Sequence, residues 1–414
     1  MREMSDLTRD FVQRLFFKYY TERFDEIHIA SKFEQREFAV FLTKERIMVR
    51  HRSFKAPSEI QSFLCSTIPS DVYYSSAYYE QPDASEMSAK GWIGADLIFD
   101  IDADHIPTSC DKVHDEWACS KCGLKGRGEL PEKCPSCGEE KFENTTWPCE
   151  LCLASAKLET TRLLDVLLRD FGFSEREIHV FFSGHRGYHV HVESEAVKSL
   201  DAMARKEIVD YVCSLGFDAG LHRLDDNSQG TLWLKDVGWR GRIARGIYKI
   251  VLNATMEDYK KMGLTKSIAE TIMKNKDAIL KDLDEPKSVG FPSGVGPQTY
   301  RKLVEFSRKS QSARVDTVVT TDIHRLIRLQ GTLHGKTGLK KVEFPIAALD
   351  DFDPFKSALA FRGGDATVLV SKAPEFRLGD EEFGPYENER VELPSAAALF
   401  LACKKRAEVV VQDV

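Results

Sequence analysis

Seven of the ten cysteines lie between Cys110 and Cys152, and His114 lies among them. This clustering restricts the fold more than any other feature of the chain. The segment from Ser109 to Cys152 is rich in Cys, Gly, Lys and Glu and poor in large aliphatics. It has too little apolar surface for a core of its own and must be stapled. Cysteines packed this closely favour a metal over disulfides. The inner four read Cys119-x2-Cys122, eleven residues, then Cys134-x2-Cys137, with Gly123 and Gly138 after each pair. Each C-x-x-C can wrap a metal with two thiolates, which is a zinc-ribbon pattern for a tetrahedral site. The outer set, Cys110-x3-His114 and Cys149-x2-Cys152, flanks the ribbon and suits a second site of three cysteines and one histidine. Reduced structural thiols and a solvated His114 are the bland alternatives. Cys65, Cys213 and Cys403 stand alone and read as ordinary buried thiols.

Just upstream, Leu97-Ile98-Phe99-Asp100-Ile101-Asp102 leads apolar residues straight into acids. Leu97 to Ile101 reads as a buried strand, bounded by Gly94 upstream and Pro107 downstream. Side chains alternate along a strand, so Asp100 and Asp102 share a face. Two such carboxylates repel and desolvate at high cost unless a cation sits between them. Mg²⁺ or Mn²⁺, which take oxygen ligands, would suit. An acidic strand end opening into solvent fits the same letters.

At 414 residues the chain exceeds one small domain, and 42% hydrophobic with 30% charged residues is a globular composition. A net charge of -7 excludes a chain coated in basic residues but leaves room for a local basic groove. The expectation is a cytoplasmic protein, because no apolar run reaches membrane length and no signal peptide is evident. The run Ala396 to Ala402 is too short to span a bilayer.

Thr8 to Phe24 predicts a helix, and Arg36 to Leu42 with Ile47 to Arg50 predicts a hairpin across Thr43 to Arg46. Leu151 to Phe171 predicts a helix stopped by Gly172. Between the strands at Ile178 to Phe182 and up to Val192 lies Ser183-Gly184-His185-Arg186-Gly187-Tyr188-His189. Its glycines allow a tight turn, and Ser183, Arg186 and His189 are donors suited to phosphate oxygens, though a decorative hairpin could hold the same residues. Trp233 to Ile250 interleaves cations with aromatics, as a nucleic-acid surface or a solvated basic loop would. Met256 to Leu283 reads as a small helical insert, and Ser293-Gly294-Val295-Gly296-Pro297 as a helix start. Arg314 to Thr320 has a strand pattern, and Asp322 to Leu329 that of a short helix.

Taken together, four separated motifs resemble the small catalytic subunit of archaeal and eukaryotic DNA primase. They are Asp100-Ile101-Asp102, Ser183 through His189, Arg314-Val315-Asp316, and Arg328 through His334-Gly335-Lys336-Thr337-Gly338, with Arg36-Glu37-Phe38 in support. The resemblance runs over roughly residues 8–350. It implies an α/β (α+β) primase catalytic core with a mixed sheet, an inserted zinc module and a helical insert. The expected segments are core over 1–108, zinc module over 109–152, core with the nucleotide hairpin over 153–250, helical insert over 251–310 and core again over 311–414. It also implies catalytic Mg²⁺ or Mn²⁺ on Asp100, Asp102 and Asp316. Ser183, Arg186, His189, Arg314, Arg328 and His334 would contact the nucleotide. The family's zinc knuckle corresponds to Cys110, His114, Cys149 and Cys152, and the ribbon of Cys119, Cys122, Cys134 and Cys137 is then an insertion, giving two Zn²⁺. The implied partners are a single-stranded DNA template, NTPs or dNTPs, the replication machinery, and a large regulatory subunit with an iron–sulfur cluster. The implied activity is synthesis of short RNA primers by nucleotidyl transfer. A haloacid-dehalogenase-like phosphatase would share only the D-x-D. A non-catalytic zinc-ribbon nucleic-acid-binding protein would leave the three acids without a purpose.

Overall fold

The computed structural model of the chain describes residues 4–42, 44, 47–222, 224, 232–285 and 295–412. Most of the expected turn over Thr43 to Arg46, and Ser293-Gly294 of the expected helix start, lie outside the described residues. The chain divides into two compact units. The first takes residues 1–160, 174–206 and 315–414, and the second takes 161–173 and 207–314. Stretches 161–173 and 207–250, read from sequence as core, are therefore grouped with the helices. The class is α/β, and every strand pair among the described residues is antiparallel.

In the first unit one four-stranded sheet runs in the order Val342–Phe344, Ile178–Phe182, Gly187–Val192, Leu97–Asp102. Register explains its two faces. Tyr188 pairs with Ile101, Val190 with Phe99 and Val192 with Leu97, and all six side chains are buried. On the opposite face His189 pairs with Asp100 and Gly187 with Asp102. The period-2 alternation thus gives a dry face and an acidic face. A second four-stranded sheet runs Leu326–Arg328, Asp71–Ser75, Phe38–Leu42, Ile47–Arg52. Behind Phe38, Arg36 and Glu37 are fully buried; Arg36 pairs with Asp96 at 2.6 Å, and Glu37 with Arg50 at 3.0 Å and Lys90 at 3.4 Å. Buried charges persist only when paired in this way.

Two local expectations reverse. Thr317–Thr321 is a helix, not a strand, and Leu326–Arg328 is a strand, not a helix. The β-branched run Thr-Val-Val-Thr-Thr looks extended by propensity. Asp316 overrides it, because its carboxylate caps the helix by accepting from the Val318 and Val319 amides. Near the C-terminus, Tyr386–Pro394, Asp365–Ala373 and Ala407–Gln412 form a three-stranded sheet. The apolar run Ala396 to Ala402 lies in the buried helix Ser395–Cys403, which packs on this sheet and on the helix Asp6–Glu22. No helix of the described residues is long and apolar enough to cross a membrane.

The second unit is helical. Gly238–Asn253 packs against Pro297–Gln311, with Met256–Lys261, Lys266–Lys274 and Lys276–Asp284 around a core that includes Ile243, Ile247, Tyr259, Ile279 and Leu303. The basic stretch falls largely in the first of these helices, and two of its cations are engaged in ion pairs. Arg242 is buried against Asp165 at 2.9 Å and Asp170 at 3.2 Å, and Arg240 pairs with Asp236 at 3.2 Å.

Candidate active site and metal centres

Asp100 and Asp102 project from the acidic face of their strand, each half-buried beside a fully buried Ile101. The third acid arrives from 214 positions beyond Asp102. The backbone amide of Asp316 donates to the carbonyl of Asp100 at 2.8 Å. This bond ties the short capped helix to the acidic strand. Burial, with Asp102 and Asp316 adding their charge, pushes the Asp100 carboxyl up to about 7. Burial also raises Asp102, against the pull of Arg186. A face that resists ionisation so strongly suits a divalent cation, which would supply the missing positive charge. The three carboxylates are spread more widely than the two cysteine sets. Among the described residues only those sets gather all their ligand atoms within 4.8 Å.

The hairpin turn is built by its glycines. Gly184 adopts φ +88°, and a Cβ on Gly187 would lie 2.3 Å from the Ile101 carbonyl oxygen, so only glycine lets the strands pair there. His189 sits across from Asp100, its Nε2 3.5 Å from the carboxylate. Burial, reinforced by Lys341 and Arg328, holds this imidazole well below its ordinary range and therefore neutral. Ser183 is at the mouth of the turn, where its amide donates to the Gly187 carbonyl. His185 stacks on His334 with centroids 5.1 Å apart, and Thr337 Oγ1 donates to the Gly184 carbonyl at 2.6 Å. The loop carrying His334 is thus packed against the hairpin turn. Arg328, buried, donates to Asp71 at 2.7 Å, and the same carboxylate accepts from the Gly335 amide at 3.1 Å. Arg314 is exposed and belongs to the helical unit.

Arg186 has a different setting from the other hairpin donors. Its guanidinium is buried, bound by Asp104 and, at 2.8 Å, by Asp115. Burial lowers it to about 10, against the pull of Asp102. Asp115 in turn accepts from His114 Nδ1 at 2.8 Å and from the Trp147 amide at 2.9 Å. The outer cysteine set is thereby connected, through two side chains, to the end of the acidic strand. Neither Asp71 nor Asp115 carries a motif, and sequence reasoning missed both. The only signal for Asp115 is its place directly after a ligand histidine, where a carboxylate that orients the imidazole is common.

Both cysteine sets have the geometry a zinc ion requires. A tetrahedron with bonds of about 2.3 Å has edges of roughly 3.8 Å. In the outer set, His114 Nε2 lies 3.1 Å from Cys149 Sγ, 3.4 Å from Cys110 Sγ and 3.5 Å from Cys152 Sγ. In the inner set, Cys119 and Cys137 are 3.5 Å apart and Cys122 and Cys134 3.6 Å. All seven cysteines are free of disulfides. The inner set is held by the small sheet of Lys125–Arg127, Glu116–Cys119 and Phe142–Thr145. Each set offers four ligands, the number with which a structural zinc closes and leaves no open position.

Two four-ligand sets able to hold a metal ion, an acidic strand and a turn with phosphate-suited donors point to nucleic-acid or nucleotide chemistry. Comparison with known proteins narrows the class. The family model described as DNA primase small subunit matches residues 139–346. Among curated relatives, the DNA primase small subunit PriS of Nitrosopumilus maritimus is 31% identical over 410 residues, covering 98% of this chain and 100% of that protein. The PriS of Archaeoglobus fulgidus is 34% identical over 402 residues, covering 96% and 98%. That of Methanococcoides burtonii is 33% identical, covering 97% and 98%. This chain belongs to the DNA primase small subunit family, and its function is that of the catalytic primase subunit. The phosphatase and pure-binder readings are not favoured.

Proposed function

We propose that Asp100, Asp102 and Asp316 hold the catalytic divalent cations, Mg²⁺ or Mn²⁺, for templated joining of NTPs into RNA primers. The observation that carries this reading is the backbone bond from Asp316 to Asp100, which brings the third acid to a face already crowded with two. Bound there, the cations would activate the attacking 3'-hydroxyl and neutralise charge on the departing pyrophosphate. Asp102 and Asp316 each use one carboxylate oxygen to cap backbone amides, which fixes their orientation before any cation arrives.

The triphosphate is assigned to Ser183, His189, Arg328 and His334. Asp71 sets the direction of Arg328, as a buried carboxylate does for a guanidinium fork. His189 and His334 are both held neutral by burial, so they offer hydrogen bonds rather than charge. Arg186 serves the site indirectly, by fixing Asp104 at the end of the acidic strand. Zn²⁺ in both cysteine sets is structural. The partners we assign are a single-stranded DNA template and a large regulatory subunit.

The test is incorporation of labelled NTPs on a single-stranded DNA template with Mg²⁺ or Mn²⁺. The wild-type chain should make short primers, and Asp100→Asn, Asp102→Asn and Asp316→Asn should each abolish synthesis with zinc content unchanged. Retained synthesis in any of the three would remove that residue from the metal site.

A further inference from the structure

The first unit also contains a cavity of about 450 Å³ outside the acidic face. One wall is the small cysteine-stapled sheet, contributing Trp117, Lys125 and Arg127. The other is the segment after the C-terminal helix, contributing Lys404, Lys405 and Arg406. Only two acids line it, Glu116 and Glu143, so five cations less two anions leave a formal local charge of about +3 in a chain whose total is -7. Glu116 pairs with Arg406 at 2.8 Å and with Arg127 at 3.3 Å, while Lys125 and Lys405 are exposed. Trp117 supplies an indole to the same wall, and its Nε1 is buried with no hydrogen-bond partner among the described residues.

Two further observations suggest that the charges serve a ligand. Lys405 has φ +56°, the left-handed position that ends the helix Ser395–Cys403, with the Arg406 amide returning to the Leu401 carbonyl. Glycine is favoured there on backbone grounds, so a lysine is kept at a cost. Lys404, at the floor, donates to His185 at 2.8 Å, and His185 stacks on His334. The cleft therefore adjoins the turn assigned to the nucleotide.

From this we infer that the cleft is a docking groove for single-stranded nucleic acid, whose phosphates meet Lys125, Arg127 and Lys405 and one of whose bases meets Trp117. Charge complementarity, an aromatic among cations and continuity with the nucleotide turn all match how such strands are held. The inference rests on the primase reading, because it identifies the groove's occupant as the template strand.

The experiment measures binding of a labelled oligo-dT of about 20 nucleotides to the full chain by fluorescence anisotropy, across a salt series. Combining Lys125→Gln, Arg127→Gln and Lys405→Gln should weaken binding more than tenfold. The slope of log affinity against log salt should flatten by roughly 2, about 0.7 for each phosphate no longer neutralised. Zinc content and NTP affinity should not change. Lys405→Gly alone separates ligand binding from folding: it should keep or raise thermal stability while still weakening DNA binding. An affinity within twofold of wild type and an unchanged slope in the triple variant would overturn the inference, as would a wild-type chain that does not bind the oligonucleotide. An acidic protein segment as the true occupant would give that same unchanged binding. If the wild type makes primers but the triple variant binds DNA normally, only the groove is refuted. A wild type that makes no primers refutes the primase reading itself, whatever the groove binds.

Discussion

Replacing Asp115 with asparagine should loosen one zinc and leave the other in place. The carboxylate is almost fully buried and takes three donors: His114 Nδ1 at 2.8 Å, the Trp147 amide at 2.9 Å and Arg186 at 2.8 Å. Asparagine keeps the shape and one carbonyl oxygen but loses the charge and places an NH2 group among donors. The His114 bond fixes the imidazole for the metal, and loss of such an orienting carboxylate weakens zinc by about 10- to 100-fold, or roughly 1.4–2.7 kcal/mol. The bond to Arg186 is charge-assisted, worth about 1.5–3 kcal/mol, and its loss falls on fold stability instead. The assay is competition with a chromogenic chelator followed by absorbance. Wild type should release two zinc ions per chain. In Asp115→Asn one release curve should move by one to two decades in chelator concentration, and the other, set by Cys119, Cys122, Cys134 and Cys137, should not move. Two unshifted curves would refute the reasoning. A shift of both would show that the sites are not independent.

With the Asp100 carboxyl raised to about 7 from an ordinary 3.8, the metal-free protein holds that proton below neutrality, and a cation must displace it. Mn²⁺ affinity measured by calorimetry should therefore fall by up to about tenfold per pH unit below 7, and flat affinity from about pH 6 to 7.5 would contradict this. The same raised value means that the unfolded chain ionises first, so metal-free stability should decline as pH rises from about 4 to about 7, as thermal melts in chelator would record. Asp71→Asn should raise KM for NTP by roughly 10- to 150-fold, the range for one lost charge-assisted bond, with circular dichroism unchanged. An unchanged KM would show that Arg328 needs no carboxylate to hold its direction.

The readable parts of the site were those with short-range patterns. Alternation along Leu97 to Asp102 placed both acids on one face, and the register confirms the shared face by pairing His189 and Gly187 with them. Spacing separated the two cysteine sets correctly into the groups that converge. What escaped depended on tertiary partners. Thr317 to Thr321 looked extended because β-branched residues favour strands, and a single cap from Asp316 outweighed that propensity. Among the cations after Trp233, the burial of Arg242 was not legible because its acidic partners, Asp165 and Asp170, lie some seventy positions earlier. Asp71 belongs to no motif; its importance comes from Arg328, paired to it across 257 positions.

The amide of Asp316 that reaches the Asp100 carbonyl also orders events in time. Synthesis from the ribosome exposes both strand acids and the complete hairpin before the segment 207–314 is made, and the third acid emerges only after it. A nascent chain that has reached residue 206 can pair its acidic strand with the hairpin, yet it carries an acidic face with one member missing. Contacts between residues this far apart in sequence form late, because a long loop must close first. On the role proposed for Asp316, the three acids come together only once synthesis has passed residue 316, and a nascent chain that stops earlier holds its acidic strand and hairpin without the third acid.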